Sequence, residues 1–92
     1  MNAGYQAEYV RFKNAGWALI KVPGEASDYT DADLNSFLTL ADVMATGYHA
    51  AASAEVKEGD TVVVMGDGAV GLCGVIAARM RGAKRIIAMS RH

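Results

Sequence analysis

Residues 61–92 read TVVVMGDGAVGLCGVIAARMRGAKRIIAMSRH. The run Thr61-Val62-Val63-Val64-Met65 is rich in β-branched residues and suits a strand buried on both faces, as in parallel sheets. Gly66-Asp67-Gly68-Ala69-Val70-Gly71 fits G-x-G-x-x-G. The residues after it favour helix to about Arg81, and Gly82 stands where a helix stops. A second apolar run, Arg85-Ile86-Ile87-Ala88-Met89, completes a predicted β-α-β unit.

The motif has a mechanical reading. Gly66 lets the chain turn sharply out of the strand, Gly68 lets a pyrophosphate approach the backbone, and Gly71 lets the helix pack against the strand. The first amides of that helix, at Ala69, Val70 and Gly71, have no partners inside it. They point at an anion, which the helix dipole also favours. A lone G-x-G-x-x-G is weak; one placed between an apolar strand and a helix, with a second strand following, is strong. The plainer alternative is a glycine-rich turn used only for packing.

The chain has 92 residues, enough for one small domain with a marginal core of its own. Its 52% hydrophobic content argues against disorder. The net charge of −1 offers no strong attraction to nucleic acid or to a membrane. Residues 1–50 carry three basic and six acidic side chains, and residues 51–92 carry six basic and four acidic. The single cysteine, Cys73, excludes an internal disulfide and a C-x-x-C motif, and reads as a small buried hydrophobe. The N-terminus lacks a signal pattern and no apolar run reaches membrane-spanning length, so a cytoplasmic location is expected.

Upstream, residues 7–12 (AEYVRF) and 17–22 (WALIKV) read as strands separated by a turn. Trp17 and Tyr5 could stack a ligand, although packing at a strand edge is the plainer reading. Residues 25–33 read as an exposed acidic connection in which Asp33 caps the next helix. Residues 34–54 favour helix in two pieces, with the break expected at Ala45-Thr46-Gly47-Tyr48 because glycine is unfavourable inside a helix. Residues 55–60 form a polar turn.

The segments LADVMATGYHAA, VKEGDTVVVMGDGAVG and GAKRIIAMSRH together resemble the zinc-dependent medium-chain alcohol dehydrogenases. The resemblance covers essentially the whole chain. It implies an α/β fold comprising the first β-α-β unit of a Rossmann domain, preceded by β-strands and a connecting helix from a GroES-like catalytic domain. Residues 1–44 would end the catalytic domain and residues 45–92 would begin the cofactor domain. Members of the family are several times longer, so the chain would be a piece, inactive alone.

The resemblance also implies site residues. Asp42 falls where the family places its third catalytic zinc ligand, with a Cys and a His ligand expected upstream of residue 1. Thr46 falls near the nicotinamide. Without the family, Asp42 is an ordinary helix or cap residue and Thr46 a hydroxyl bonded to a local carbonyl.

One departure bears on the cofactor. NAD-binding units usually end the second strand with an acid that bonds the ribose 2′-hydroxyl. Here Ser90, Arg91 and His92 follow the strand. Serine can donate to a 2′-phosphate and arginine can pair with it, which favours NADP over NAD. A solvated strand exit is the alternative. The expected activity of the longer relative is hydride transfer between a small alcohol or carbonyl substrate and NADP, with zinc. The alternatives are a dinucleotide-binding module without catalysis, or a fragment without ligand whose exposed strands pair copies into a homo-oligomer.

Overall fold

A computed structural model of the protein describes residues 6–91. The first regular element is a single helical turn, α1 (Ala15–Ala18). Residues 7–12 carry bends and no strand, and residues 19–22 run without ladder partners. Neither expected upstream strand forms. Alternation is only half of what a strand needs; the other half is a neighbour to pair with and a layer to bury against. Trp17 is 95% exposed and Tyr9 92% exposed, so these side chains find no such layer, and the packing reading of Trp17 is corrected too. Tyr5 lies outside the described residues.

Helix α2 (Asp31–Leu38) starts at Thr30, not at Asp33 as expected. Thr30 Oγ1 accepts from the Asp33 amide at 3.2 Å, and the Thr30 amide donates to the Asp33 carboxylate at 2.9 Å. This is a reciprocal capping box. The Thr30 hydroxyl, followed by its backbone N–H, holds the Asp33 carboxyl below its ordinary value. A 3₁₀ turn leads to Asp42, and helix α3 (Val43–Ser53) follows. The helix therefore breaks at Asp42 (φ −155°, ψ −64°), not at residues 45–48.

Gly47 explains the displaced break. It lies buried inside α3 where that helix crosses helix α4 (Ala69–Met80). A Cβ at Gly47 would sit 2.7 Å from the Cys73 carbonyl carbon and 2.7 Å from the Gly74 nitrogen. The glycine marks a close helix–helix contact, and the tertiary packing overrides its poor propensity.

Strands β1 (Thr61–Met65) and β2 (Arg85–Met89) pair in parallel, with Thr61 opposite Arg85 and Met65 opposite Met89. The β-α-β unit expected from the sequence is thus present, with α4 as its crossover. At its far end, Gly82 (φ +94°) turns the chain out of α4, and the Lys84 amide donates to the Asp60 carbonyl at 2.8 Å. Arg81 Nε donates to the Val56 carbonyl at 2.8 Å while its guanidinium lies over the Tyr48 ring.

The core gathers Ala51, Val56, Ala77, Ala78 and Ala83, with Val62 and Ile86 turned toward it from the sheet. Small side chains let α3 and α4 approach closely, and Cys73 is buried with them, as expected. The opposite sheet face is bare: Val63, Met65, Ile87 and Met89 are all exposed. The strands are covered on one face, where the sequence pattern anticipates two.

Candidate functional site

The turn between β1 and α4 builds the site. The Gly66 amide donates to the Met89 carbonyl at 2.8 Å, which extends the ladder one residue past Met65. Gly66 then takes φ +109°, a left-handed conformation that side chains oppose. Gly68 is the N-cap of α4 and offers no side-chain acceptor. The Leu72 amide donates to the Gly68 carbonyl at 2.9 Å as the helix begins. The amides of Ala69, Val70 and Gly71 precede that bond and have no acceptor within the helix.

The glycines of the motif separate by their surroundings. A Cβ at Gly68 would meet nothing within 4 Å, so that side of the turn is open. A Cβ at Gly71 would lie 2.1 Å from the Gly66 carbonyl oxygen, so there the helix is pressed onto the strand exit. One position keeps a space clear and the other closes a joint. This is the geometry of a cradle that an added Cβ would fill.

Among the described residues, two grooves flank the turn. One, of about 550 Å³, lies at the ends of both strands; Asp67, Ser90 and Arg91 line it with Met65, Met89 and the first two loop glycines. The other, of about 650 Å³, runs along β1 beneath α3, is lined by small and apolar residues, and also reaches Gly66, Gly68, Ala69, Val70 and Gly71. Ser90 and Arg91 therefore share a groove with Gly66 and Gly68 of the loop. His92 lies outside the described residues. Sequence reading overlooked Asp67 as a groove residue, although its place inside the motif was the available signal.

Asp42 and Thr46 are brought together one helical turn apart. Thr46 Oγ1 donates to Asp42 Oδ1 at 2.8 Å, so the hydroxyl's partner is a carboxylate and not the carbonyl that a local reading expects. Both residues are exposed, and neither lines either groove. Among the described residues no three His, Cys, Asp or Glu side chains converge on a common point. One carboxylate does not make the three-ligand set of a catalytic zinc, so the described residues alone do not fit that metal. The glycine cradle, by contrast, fits a dinucleotide diphosphate. Among the described residues no helix is long and apolar enough to cross a membrane.

Comparison with known proteins places this chain among relatives of one family. The chain is 42% identical over 86 residues to an uncharacterized zinc-type alcohol dehydrogenase-like protein, AdhB, of Bacillus subtilis, covering 94% of this chain and 22% of that protein. It is 37% identical over 102 residues to the NADP-dependent isopropanol dehydrogenase of Clostridium beijerinckii, covering 95% of this chain and 29% of that one. It is 42% identical over 85 residues to the glutathione-independent formaldehyde dehydrogenase of Pseudomonas aeruginosa, covering 91% and 21% respectively. The chain belongs to the zinc-type medium-chain alcohol dehydrogenase family. It spans about a quarter of the length of the curated relatives it matches. No family model and no solved structure matches it.

Proposed function

We propose that the chain carries the dinucleotide-binding part of an NADP-dependent, zinc-dependent alcohol dehydrogenase. Residues 45–92 would be the first β-α-β of its Rossmann domain, and residues 1–44 the end of its GroES-like catalytic domain. The observation that carries this reading is the turn at residues 66–71, open at Gly68 and bordered by Ser90 and Arg91. The diphosphate would rest on the amides of Ala69, Val70 and Gly71 at the positive end of α4. Ser90 would donate to the 2′-phosphate and Arg91 would pair with it, His92 following. The apolar groove beneath α3 would receive the nicotinamide half, and Thr46 precedes its lining residue Gly47 in the chain.

NADP supplies the acceptor for a hydride from an alcohol carbon. This chain's residues bind and orient the cofactor; the glycine cradle sets the depth of the diphosphate and Arg91 sets the choice of cofactor. Asp42 would be one zinc ligand, held by the Thr46 hydroxyl, with the partner ligands contributed from elsewhere. A small alcohol or carbonyl substrate, a cytoplasmic setting and no nucleic-acid partner complete the reading. Names of relatives support it: two of them are NADP-dependent isopropanol dehydrogenases.

Two variants test it by fluorescence titration with reduced cofactors. Gly68→Val fills the open side of the turn and is expected to weaken NADPH by about 100-fold, equivalent to roughly 2.7 kcal/mol. Unchanged affinity would remove the loop from the site. Arg91→Ala is expected to weaken NADPH about tenfold or more while changing NADH little; equal losses would sink the 2′-phosphate assignment. A second reading rests on the bare face of Val63, Met65, Ile87 and Met89, through which copies of the chain would pair. Sedimentation of the protein as a monomer at high concentration would dismiss it.

A further inference from the structure

We infer that Asp67 accepts the hydrogen of the adenosine ribose 3′-hydroxyl, so that the carboxylate for the sugar comes from the turn after β1 while the groups for the 2′-phosphate come from the exit of β2. This rests on the NADP reading above and adds a specificity residue to it.

Met65 and Met89 are register partners, and the Gly66 amide reaches the Met89 carbonyl. Asp67 and Arg91 each stand two residues beyond that pair, Asp67 in the glycine turn after β1 and Arg91 in the chain leaving β2. Both line the same groove with Ser90. The groove thus presents a carboxylate acceptor from the exit of one strand and a cation from the exit of the next. A ribose with a 2′-phosphate has the matching pair on neighbouring carbons: an anion at C2′ and a hydroxyl donor at C3′. NAD-binding units take the ribose with an acid at the end of the second strand. Serine occupies that place here, and the acid of the groove is supplied by the turn after the first strand instead.

Asp67 is half-buried, which limits competition from water for its acceptor positions. It already takes part in an interaction within the protein. A carboxylate offers two oxygens with about four acceptor positions between them, so that interaction leaves room for the hydroxyl. The carboxylate also lies near the 2′-phosphate and repels it. Absolute NADP affinity therefore mixes two effects of opposite sign, and the readout must isolate the hydroxyl.

The test is calorimetric titration of the whole chain with NADP and with 3′-deoxy-NADP. The unaltered chain is expected to bind the 3′-deoxy probe about tenfold or more weakly, the loss of a hydrogen bond to a charged acceptor. In Asp67→Ala that ratio is expected to fall close to one. Asp67→Asn keeps the side-chain shape and one acceptor oxygen, and is expected to keep part of the discrimination. Full discrimination surviving in Asp67→Ala, or none in the unaltered chain, would overturn the assignment and leave the diphosphate seat standing. Failure of the unaltered chain to bind NADP at all would remove the seat and this assignment together.

Discussion

Gly71→Ala is expected to lower the melting temperature by about 12 °C or more, from a destabilisation of roughly 3 kcal/mol at about 4–8 °C per kcal/mol for a domain of this size. The added Cβ would meet the Gly66 carbonyl oxygen at 2.1 Å and the carbonyl carbon at 2.8 Å. Both atoms belong to the backbone, and Gly66 is fixed by its hydrogen bond to Met89 and by its positive φ. No rotamer change relieves such a contact. Either α4 slides away from the strand or the turn unwinds, and both movements uncover the alanine core. Gly68→Ala is the matched control, because its Cβ meets nothing and its φ of −74° suits any residue. Its melting temperature is expected to fall by less than about 5 °C, the cost of a poorer helix cap. Thermal unfolding followed by far-ultraviolet circular dichroism compares the two. Similar melts for both variants would mean that the joint between strand and helix yields to the added Cβ at little cost.

That contrast shows what the sequence could and could not say. The motif at residues 66–71 announced the turn, the helix after it and the parallel strand, because each step is a local requirement written in consecutive residues. Gly82 announced the end of α4 for the same reason. The upstream half was read less well, since strand formation is not local. Residues 7–12 and 17–22 have the composition of strands, but the described residues offer them no strand to ladder with. The capping box at Thr30 was legible in principle, with Asp33 three residues on, but Asp33 was given the wrong half of the exchange. Within the site, Ser90 and Arg91 were traceable to the motif's geometry. Asp67 lies inside the motif itself, yet what it can do depends on which residues leave the neighbouring strand beside it.

Gly47 is the position where propensity and packing disagree most openly, and Gly47→Ala measures which prevails. Glycine in a helix interior is about 1 kcal/mol worse than alanine, so propensity alone makes the substitution stabilising. Packing acts in the opposite direction. The new Cβ would lie 2.7 Å from the Cys73 carbonyl carbon, 2.7 Å from the Gly74 nitrogen and 2.8 Å from the Cys73 Cβ. Carbon contacts settle near about 3.5–4.0 Å, so α3 and α4 must separate, and overpacking of this kind costs about 1–3 kcal/mol, occasionally more. With backbone atoms on the receiving side the upper end applies, and the net expectation is a loss of about 2 kcal/mol, or roughly 8–16 °C in melting temperature. Cys73→Ala separates the causes. It leaves the Cβ and both backbone atoms in place, so it should not rescue Gly47→Ala. Rescue would show that the sulfur, and not the helix backbone, limits the approach. A melt unchanged or raised by Gly47→Ala alone would mean that the crossing yields by several tenths of an ångström at little cost. The displaced helix break at Asp42 would then need another explanation.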